Sequence, residues 1–185
     1  MIPHPREINP LLIAGIDPGG RFTALSVLRE ENTVEQSFSI IYSGTFKRPD
    51  TVAPINFVVE LAQEISNTLA GIQNENPEST LLIGIEGVNA PKGFVGGKRA
   101  SLNPAGIIMT GIIAGGLRVT FPEAAIINPA GNGSSDLDTY PEDLRGRRPK
   151  NLPGNIAGNR NHERSAYDVA VKTAQHFEGQ TGRLI

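Results

Sequence analysis

The sequence predicts an α/β domain in which a sheet of mixed strand direction is covered by helices. Three observations predict it. Short apolar stretches near the N-terminus are separated by tight-turn sequences. Two nearly wholly apolar runs, LLIAGI at 11–16 and LLIGI at 81–85, each stop at an acid. Segments with apolar residues at helical spacing alternate with them.

Taken in order, Leu11 to Ile16 is short and apolar enough for a buried strand, and Asp17-Pro18-Gly19-Gly20 breaks it sharply. Phe22 to Leu28 supplies a second strand, and Thr33 to Tyr42 alternates well enough for a third; the tight turns between them make an antiparallel meander. From Pro54 to Ile72, Ile55, Val58, Val59, Ala62, Ile65 and Leu69 recur at helical spacing, with Pro54 suited to a first turn. Leu81 to Ile85 is another short strand, ending at Glu86, and a Gly- and Lys-rich loop, Gly87 to Arg99, follows. Asn103 to Leu117 reads as a buried helix packed closely through Gly106, Gly111 and Ala114, and Arg118 to Asn128 holds a strand best marked at Ala124 to Ile127. Residues 129–161 form a long loop rich in Pro, Gly and Arg; loops of that length are commonly functional. His162 to Phe177 closes the domain as a helix with Ala166, Val169, Ala170, Thr173 and Ala174 facing inward. The order is βββαβαβ, loop, α. The domain spans 11–178, between tails at 1–10 and 179–185.

Composition narrows the function classes. A chain of 185 residues, 38% hydrophobic and 19% charged, suits one domain with one core. With no Cys there are no disulfides, thiolate metal sites or Cys nucleophile. No apolar run approaches the roughly 20 residues that span a bilayer, and the Pro-rich start lacks a signal-peptide core. A soluble, cytoplasmic protein is expected. The net charge of -2 is unevenly spread: acids prevail between Glu30 and Thr80, whereas Arg145, Arg147, Arg148, Lys150, Arg160 and Arg164 face only Glu163 between 144 and 164. Such a basic segment is either a solvated loop or a phosphate-binding surface, whatever the total charge.

Asp17 and Glu86 are the sharpest features. Each follows a short buried strand; if the two strands are parallel neighbours, both carboxylates emerge at one sheet edge, where ligands of such sheets bind. Paired acids repel unless they share a proton or a cation. Without Cys, and with only His4, His162 and His176, the natural cation is a hard, oxygen-bound one such as Mg²⁺ or Mn²⁺. Taken singly, Asp17 also fits ordinary Asp-Pro-Gly turn chemistry and Glu86 a solvent-facing strand end. A second focus is the helix start at 161–168, where His162, Ser165 and Asp168 follow one another at intervals of one turn.

These residues carry a resemblance. IAGIDPG at 13–19 resembles the first motif of the RuvC family of Holliday-junction resolvases, IGIE at 83–86 its second, and HERSAYDVA at 162–170 its last acidic motif. The segment 162–177 is also similar to the corresponding helix in RuvC-like domains of RNA-guided nucleases. The resemblance runs from about Leu11 to Phe177. It implies a ribonuclease H-like fold with a mixed five-stranded sheet, and metal-dependent hydrolysis of phosphodiester bonds in branched DNA around two Mg²⁺ or Mn²⁺ ions. It implies Asp17, Glu86, His162 and Asp168 as catalytic metal ligands, Asp17 bridging the ions. The last motif departs from the family pattern: if His162 takes the first position, Ser165 falls where Asp is usual and Asp168 substitutes from one turn later, whereas a shift of three residues makes Asp168 the usual Asp; both placements keep Asp168. Arg145, Arg147, Arg148, Lys150, Lys92, Lys98 and Arg99 are the expected phosphate contacts, and Phe94 a residue that stacks on bases or folds onto the core. A homodimer is implied because two strands must be cut in matched positions, with the helix at 103–117 a candidate interface. Other readings are a non-catalytic nucleic-acid binder of this fold and a nuclease acting on RNA or unbranched DNA. Asp-Pro-Gly-Gly is also similar to the phosphate loop of actin-like sugar kinases, whose duplicated domain has no room in 185 residues.

Overall fold

A computed structural model describes residues 9–32, 37–88, 104–145 and 160–181. Strands β1 (Leu11–Asp17), β2 (Phe22–Asn32) and β3 (Ser37–Lys47) make the meander, helix α1 (Pro54–Glu75) follows, and β4 (Thr80–Glu86) returns to the sheet. Helix α2 (Pro104–Thr120), the short strand β5 (Ala125–Ile127), a 3₁₀ turn at Leu137–Thr139, the single turn α3 (Glu142–Arg145) and helix α4 (Arg160–Thr181) complete the order. The strands form one five-stranded sheet in the order β3-β2-β1-β4-β5. β1–β2 and β2–β3 pair antiparallel, while β1–β4 and β4–β5 pair parallel. This is the expected mixed sheet.

Strand alternation sorts the two faces. On one face Ala14, Ile16, Leu25, Val27 and Ile85 meet Phe57, Val58, Leu61, Ala62, Ile65 and Leu69 of α1 and Ile113 and Leu117 of α2, forming the main core. On the other, Leu11, Ile13 and Leu28 meet Ala170 and Ala174 of α4. The pairing registers align Gly84, Gly15, Ser26 and Ser43 in one row across four strands on the α4 face. That row of small residues is what lets α4 lie close. A Cβ added at Gly15 would come within 2.1 Å of the Ala166 carbonyl oxygen and 2.3 Å of the Ala170 nitrogen, and one at Gly84 within 1.8 Å of Thr173 Oγ1.

β2 runs on to Asn32, beyond the expected Leu28, and the expected loop at 129–161 contains the 3₁₀ turn and α3; four further differences each have a physical reason. β3 was expected at 33–42 but runs from Ser37 to Lys47, and residues 33–36 lie outside the described residues. Its second half contains Ser43 and Thr45, buried polar residues that break the apolar pattern because they face a buried carboxylate on α4. In α1 the buried flank is Phe57 and Leu61; Ile55 and Val59, expected inward, are 62% and 70% exposed. α2 is not fully buried: it sinks Ile113 and Leu117 but exposes Ile108 and Val119, and its close approach is Gly116 against Val58 of α1, while Gly111 faces open space. The helix also continues to Thr120, so the strand expected at 118–128 is confined to Ala125–Ile127. α4 buries Ala166, Val169, Ala170, Thr173 and Ala174, as its spacing predicts. Among the described residues no helix is long and apolar enough to cross a membrane.

Candidate active site

β1 and β4 end side by side, with Ile16 opposite Ile85 in parallel register, so Asp17 and Glu86 leave the sheet as neighbours. Asp17 lies two residues after Gly15, and Glu86 two after Gly84, so both carboxylates project on the face covered by α4. Asp17 is 6% exposed. Burial, followed by its hydrogen bond and charge contact with Asp17, pushes the Glu86 carboxyl up to about 8, against smaller opposing effects of Asn132 and Ser165. Glu86 therefore holds its proton near neutral pH, the expected behaviour of a desolvated carboxyl beside another acid without a cation.

The first turns of α4 reach over this pair. His162 Nδ1 lies 2.6 Å from Asp17 Oδ2 and donates to it when Asp17 is ionised. That hydrogen bond raises the imidazole above its ordinary value, with burial opposing and the Asp17 charge assisting. Phe22 packs near the same ring at 6.2 Å between centroids, and Gly19 leaves room for its Cε1. Ser165 Oγ lies 3.4 Å from Glu86 Oε2. The sequence resemblance placed His162 and Asp168 with the strand-end acids, Ser165 falling where Asp is usual. The structure brings Asp17, Glu86, His162 and Ser165 together. Asp168 Oδ2 instead accepts 2.8 Å hydrogen bonds from the Gly133 backbone N–H and the Tyr140 hydroxyl.

Three contributors went unnoticed in the sequence. Glu163 is fully buried and anchors the start of α4: Arg160 Nη1 donates to it at 2.5 Å, and the Ser43 and Thr45 hydroxyls each reach it at 3.4 Å. Ser26 Oγ also donates to its backbone carbonyl at 3.2 Å. Asn132 Nδ2 donates to Glu86 Oε1 at 2.7 Å, and Lys172 Nζ bonds the Asn132 side-chain oxygen and, at 3.0 Å, the Ala130 carbonyl. Tyr140, 1% exposed, is held above its ordinary value by burial and its bond to Asp168. The i,i+3 spacing of Arg160 and Glu163 was the one legible sign of the first group. Nothing local marked Asn132 or Tyr140.

Of the expected phosphate contacts, Arg145 is exposed and its Nε donates to the Tyr140 carbonyl at 2.5 Å. Lys92, Phe94, Lys98, Arg99, Arg147, Arg148 and Lys150 lie outside the described residues. Among the described residues no three His, Asp or Glu side chains gather into a set that would hold a metal ion. The donor chemistry nonetheless suits one hard cation, because Asp17 and Glu86 are two oxygen donors in mutual contact whose repulsion such a cation relieves.

By sequence, the chain matches no family model and no curated protein. By structure, it is similar to Thermus thermophilus RuvC, with a TM-score of 0.57 and 15% identity over 94% of this chain and 98% of that one. It is likewise similar to T. thermophilus RuvC in complex with Holliday junction substrate, with a TM-score of 0.52 and 14% identity over 94% of this chain and 97% of that one. Both likenesses extend over nearly the whole chain, and the sheet order and flanking helices agree with them: the chain has a RuvC-like, ribonuclease H-like fold.

Proposed function

We propose that the protein is a divalent-metal-dependent endonuclease that hydrolyses phosphodiester bonds in branched DNA such as four-way junctions. The observation that carries this reading is the contact of Asp17 and Glu86 at the shared end of two parallel strands, beneath His162. The likeness to a junction-bound structure supports branched DNA as substrate.

Bound there, Mg²⁺ or Mn²⁺ supplies Lewis acidity toward the phosphate and activates the attacking water. Asp17 and Glu86 would hold the cation through their carboxylate oxygens. Asn132 fixes the orientation of Glu86 from one side and Ser165 from the other. His162, hydrogen-bonded to Asp17, stands where it accepts or returns a proton near neutral pH. Arg145, Arg147, Arg148, Lys150, Lys92, Lys98 and Arg99 neutralise phosphates flanking the scissile bond, and Phe94 stacks at the branch; contacts of this kind position DNA without reading its sequence. Matched cuts in two strands require a homodimer, with α2 and its exposed Ile108 and Val119 as the interface.

Labelled four-way junctions, flaps, linear duplex and RNA, each incubated with Mg²⁺, test the reading. Cleavage of junctions in preference to the others is expected. Asp17→Asn and Glu86→Gln are expected to lower the rate more than about 100-fold while junction binding persists. Binding with no cleavage by the wild-type protein under any divalent ion contradicts the reading and makes the protein a non-catalytic binder of this fold. Preferential cleavage of RNA or linear duplex reassigns the substrate.

A further inference from the structure

An α-helix turns about 100° per residue, which decides which side chains of α4 reach the strand-end acids. Ala166 and Ala170 mark the side facing the sheet, where Gly15 meets their backbone. Measured from Ala166, His162 is about 40° around the helix, Ser165 about 100° and Asp168 about 160°, so Asp168 lies about 60° beyond Ser165. The contacts follow this rotation. His162 meets Asp17, Ser165 meets Glu86, and Asp168, further round, bonds the Gly133 N–H and the Tyr140 hydroxyl. Asp168 borders a separate hollow of about 200 Å³ with Gly131, Ser135 and Lys172.

We infer, on the reading above, that this site holds a single divalent ion between Asp17 and Glu86, and that Asp168 is a positioning residue outside the ion's reach. Charge sets the number. Two carboxylates balance one divalent cation. A second cation about 4 Å away, the usual spacing of paired ions, would need further anionic oxygen. Ser165 and His162 offer only neutral donors at that place; of the α4 carboxylates near them, Glu163 is buried against Arg160, Ser43 and Thr45, and Asp168 Oδ2 is taken by the Gly133 N–H and the Tyr140 hydroxyl. A hard ion such as Mg²⁺ is commonly held by one or two carboxylates and water, so one ion suffices for the donor set present.

Asp168 acts through the segment it grips. It holds Gly133, whose φ of 70° suits glycine, and a Cβ there would lie 3.0 Å from the Asn161 carbonyl oxygen. Next in sequence, Asn132 is gripped by Lys172, one turn beyond Asp168, which bonds its side-chain oxygen and turns its NH₂ toward Glu86. Asp168, Tyr140 and Lys172 therefore aim Asn132 at the carboxylate that holds the ion. Ser165 is the position at which a carboxylate would create a second ion site.

Mn²⁺ titration of the full chain, followed by calorimetry and by the electron paramagnetic resonance of bound Mn²⁺, tests this without recourse to activity. The wild-type protein is expected to bind one Mn²⁺ with a mononuclear spectrum. Ser165→Asp is expected to bind two, with the spin-coupled spectrum of a close pair. Asp168→Asn and Tyr140→Phe are expected to keep one ion at about tenfold weaker affinity, the effect of losing an orienting partner. Tyr140→Phe removes only a hydroxyl, so it answers should Asp168→Asn fail to fold. Two ions in the wild type, falling to one in Asp168→Asn, overturn the inference and leave the nuclease reading standing. A single ion in Ser165→Asp, or undiminished affinity in both Asp168→Asn and Tyr140→Phe, also overturns it. No Mn²⁺ bound by the wild type, with or without junction DNA, overturns the nuclease reading itself.

Discussion

Asp17 and Glu86 meet in a pocket too dry for two negative charges, and that has a measurable consequence in the absence of divalent ions. Glu86 is raised from an ordinary 4.5 to about 8, so the folded state holds its proton more tightly than the unfolded chain does. Between those values, stability falls as pH rises, because the unfolded chain ionises Glu86 freely and the folded one does not. His162 works in the same direction: its folded value is raised by Asp17, so its contribution is complete below its unfolded value and is lost as pH climbs through the folded one. The melting temperature in chelator is therefore expected to drop from pH 5 to pH 8. Glu86→Gln is expected to flatten that drop, and Mn²⁺ to raise the melting temperature more at pH 8 than at pH 5. A melting temperature that rises with pH in chelator would show the two carboxylates to be apart. The pair itself was legible in the sequence because both acids end short apolar runs. Asn132 was not, since an Asn in a Gly-rich turn looks the same whether or not it touches a carboxylate.

At the scale of elements, the site depends on how closely α4 lies on β1 and β4. Gly15 and Gly84 are register partners, each two residues before an acid, and both sit under α4. Gly15→Ala places a methyl group against helix backbone, which has no rotamer with which to yield. It is expected to cost about 2–3 kcal/mol by overpacking and to lift His162 and Ser165 from the acids. Denaturant unfolding checks the first effect and Mn²⁺ affinity the second; an unchanged affinity with full stability would mean that the helix is free to shift. The sequence disclosed β1, β4 and the inward face of α4 because apolar periodicity alone specifies them. It misplaced β3, since Ser43 and Thr45 are buried to serve Glu163, a demand that arises only from a helix more than 100 residues away. It favoured Ile55 and Val59 over Phe57 and Leu61 in α1 because spacing fixes a stripe but not which flank meets α2. It put Asp168 among the ligands because spacing along a helix does not show which groups, here the Gly133 N–H and the Tyr140 hydroxyl, already hold a carboxylate.

Over the whole molecule, a net charge of -2 coexists with a basic stretch from Arg145 to Lys150 that adjoins α3. On the proposed function this stretch binds phosphate, and binding to a polyanion releases counterions, so affinity falls with salt in proportion to the contacts made. Arg147→Ala combined with Arg148→Ala is expected to weaken junction binding and to reduce the slope of log affinity against log salt by about 2. An unchanged slope would make the stretch a solvated loop and move the DNA path elsewhere.

The arrangement on which all of this depends is the meeting of Asp17 and Glu86, and anomalous diffraction from a Mn²⁺-soaked crystal tests it most directly. A manganese peak within bonding distance of both carboxylates, with His162 beside Asp17, is the predicted result. Asp17 and Glu86 found apart, with manganese bound at neither of them, would contradict it.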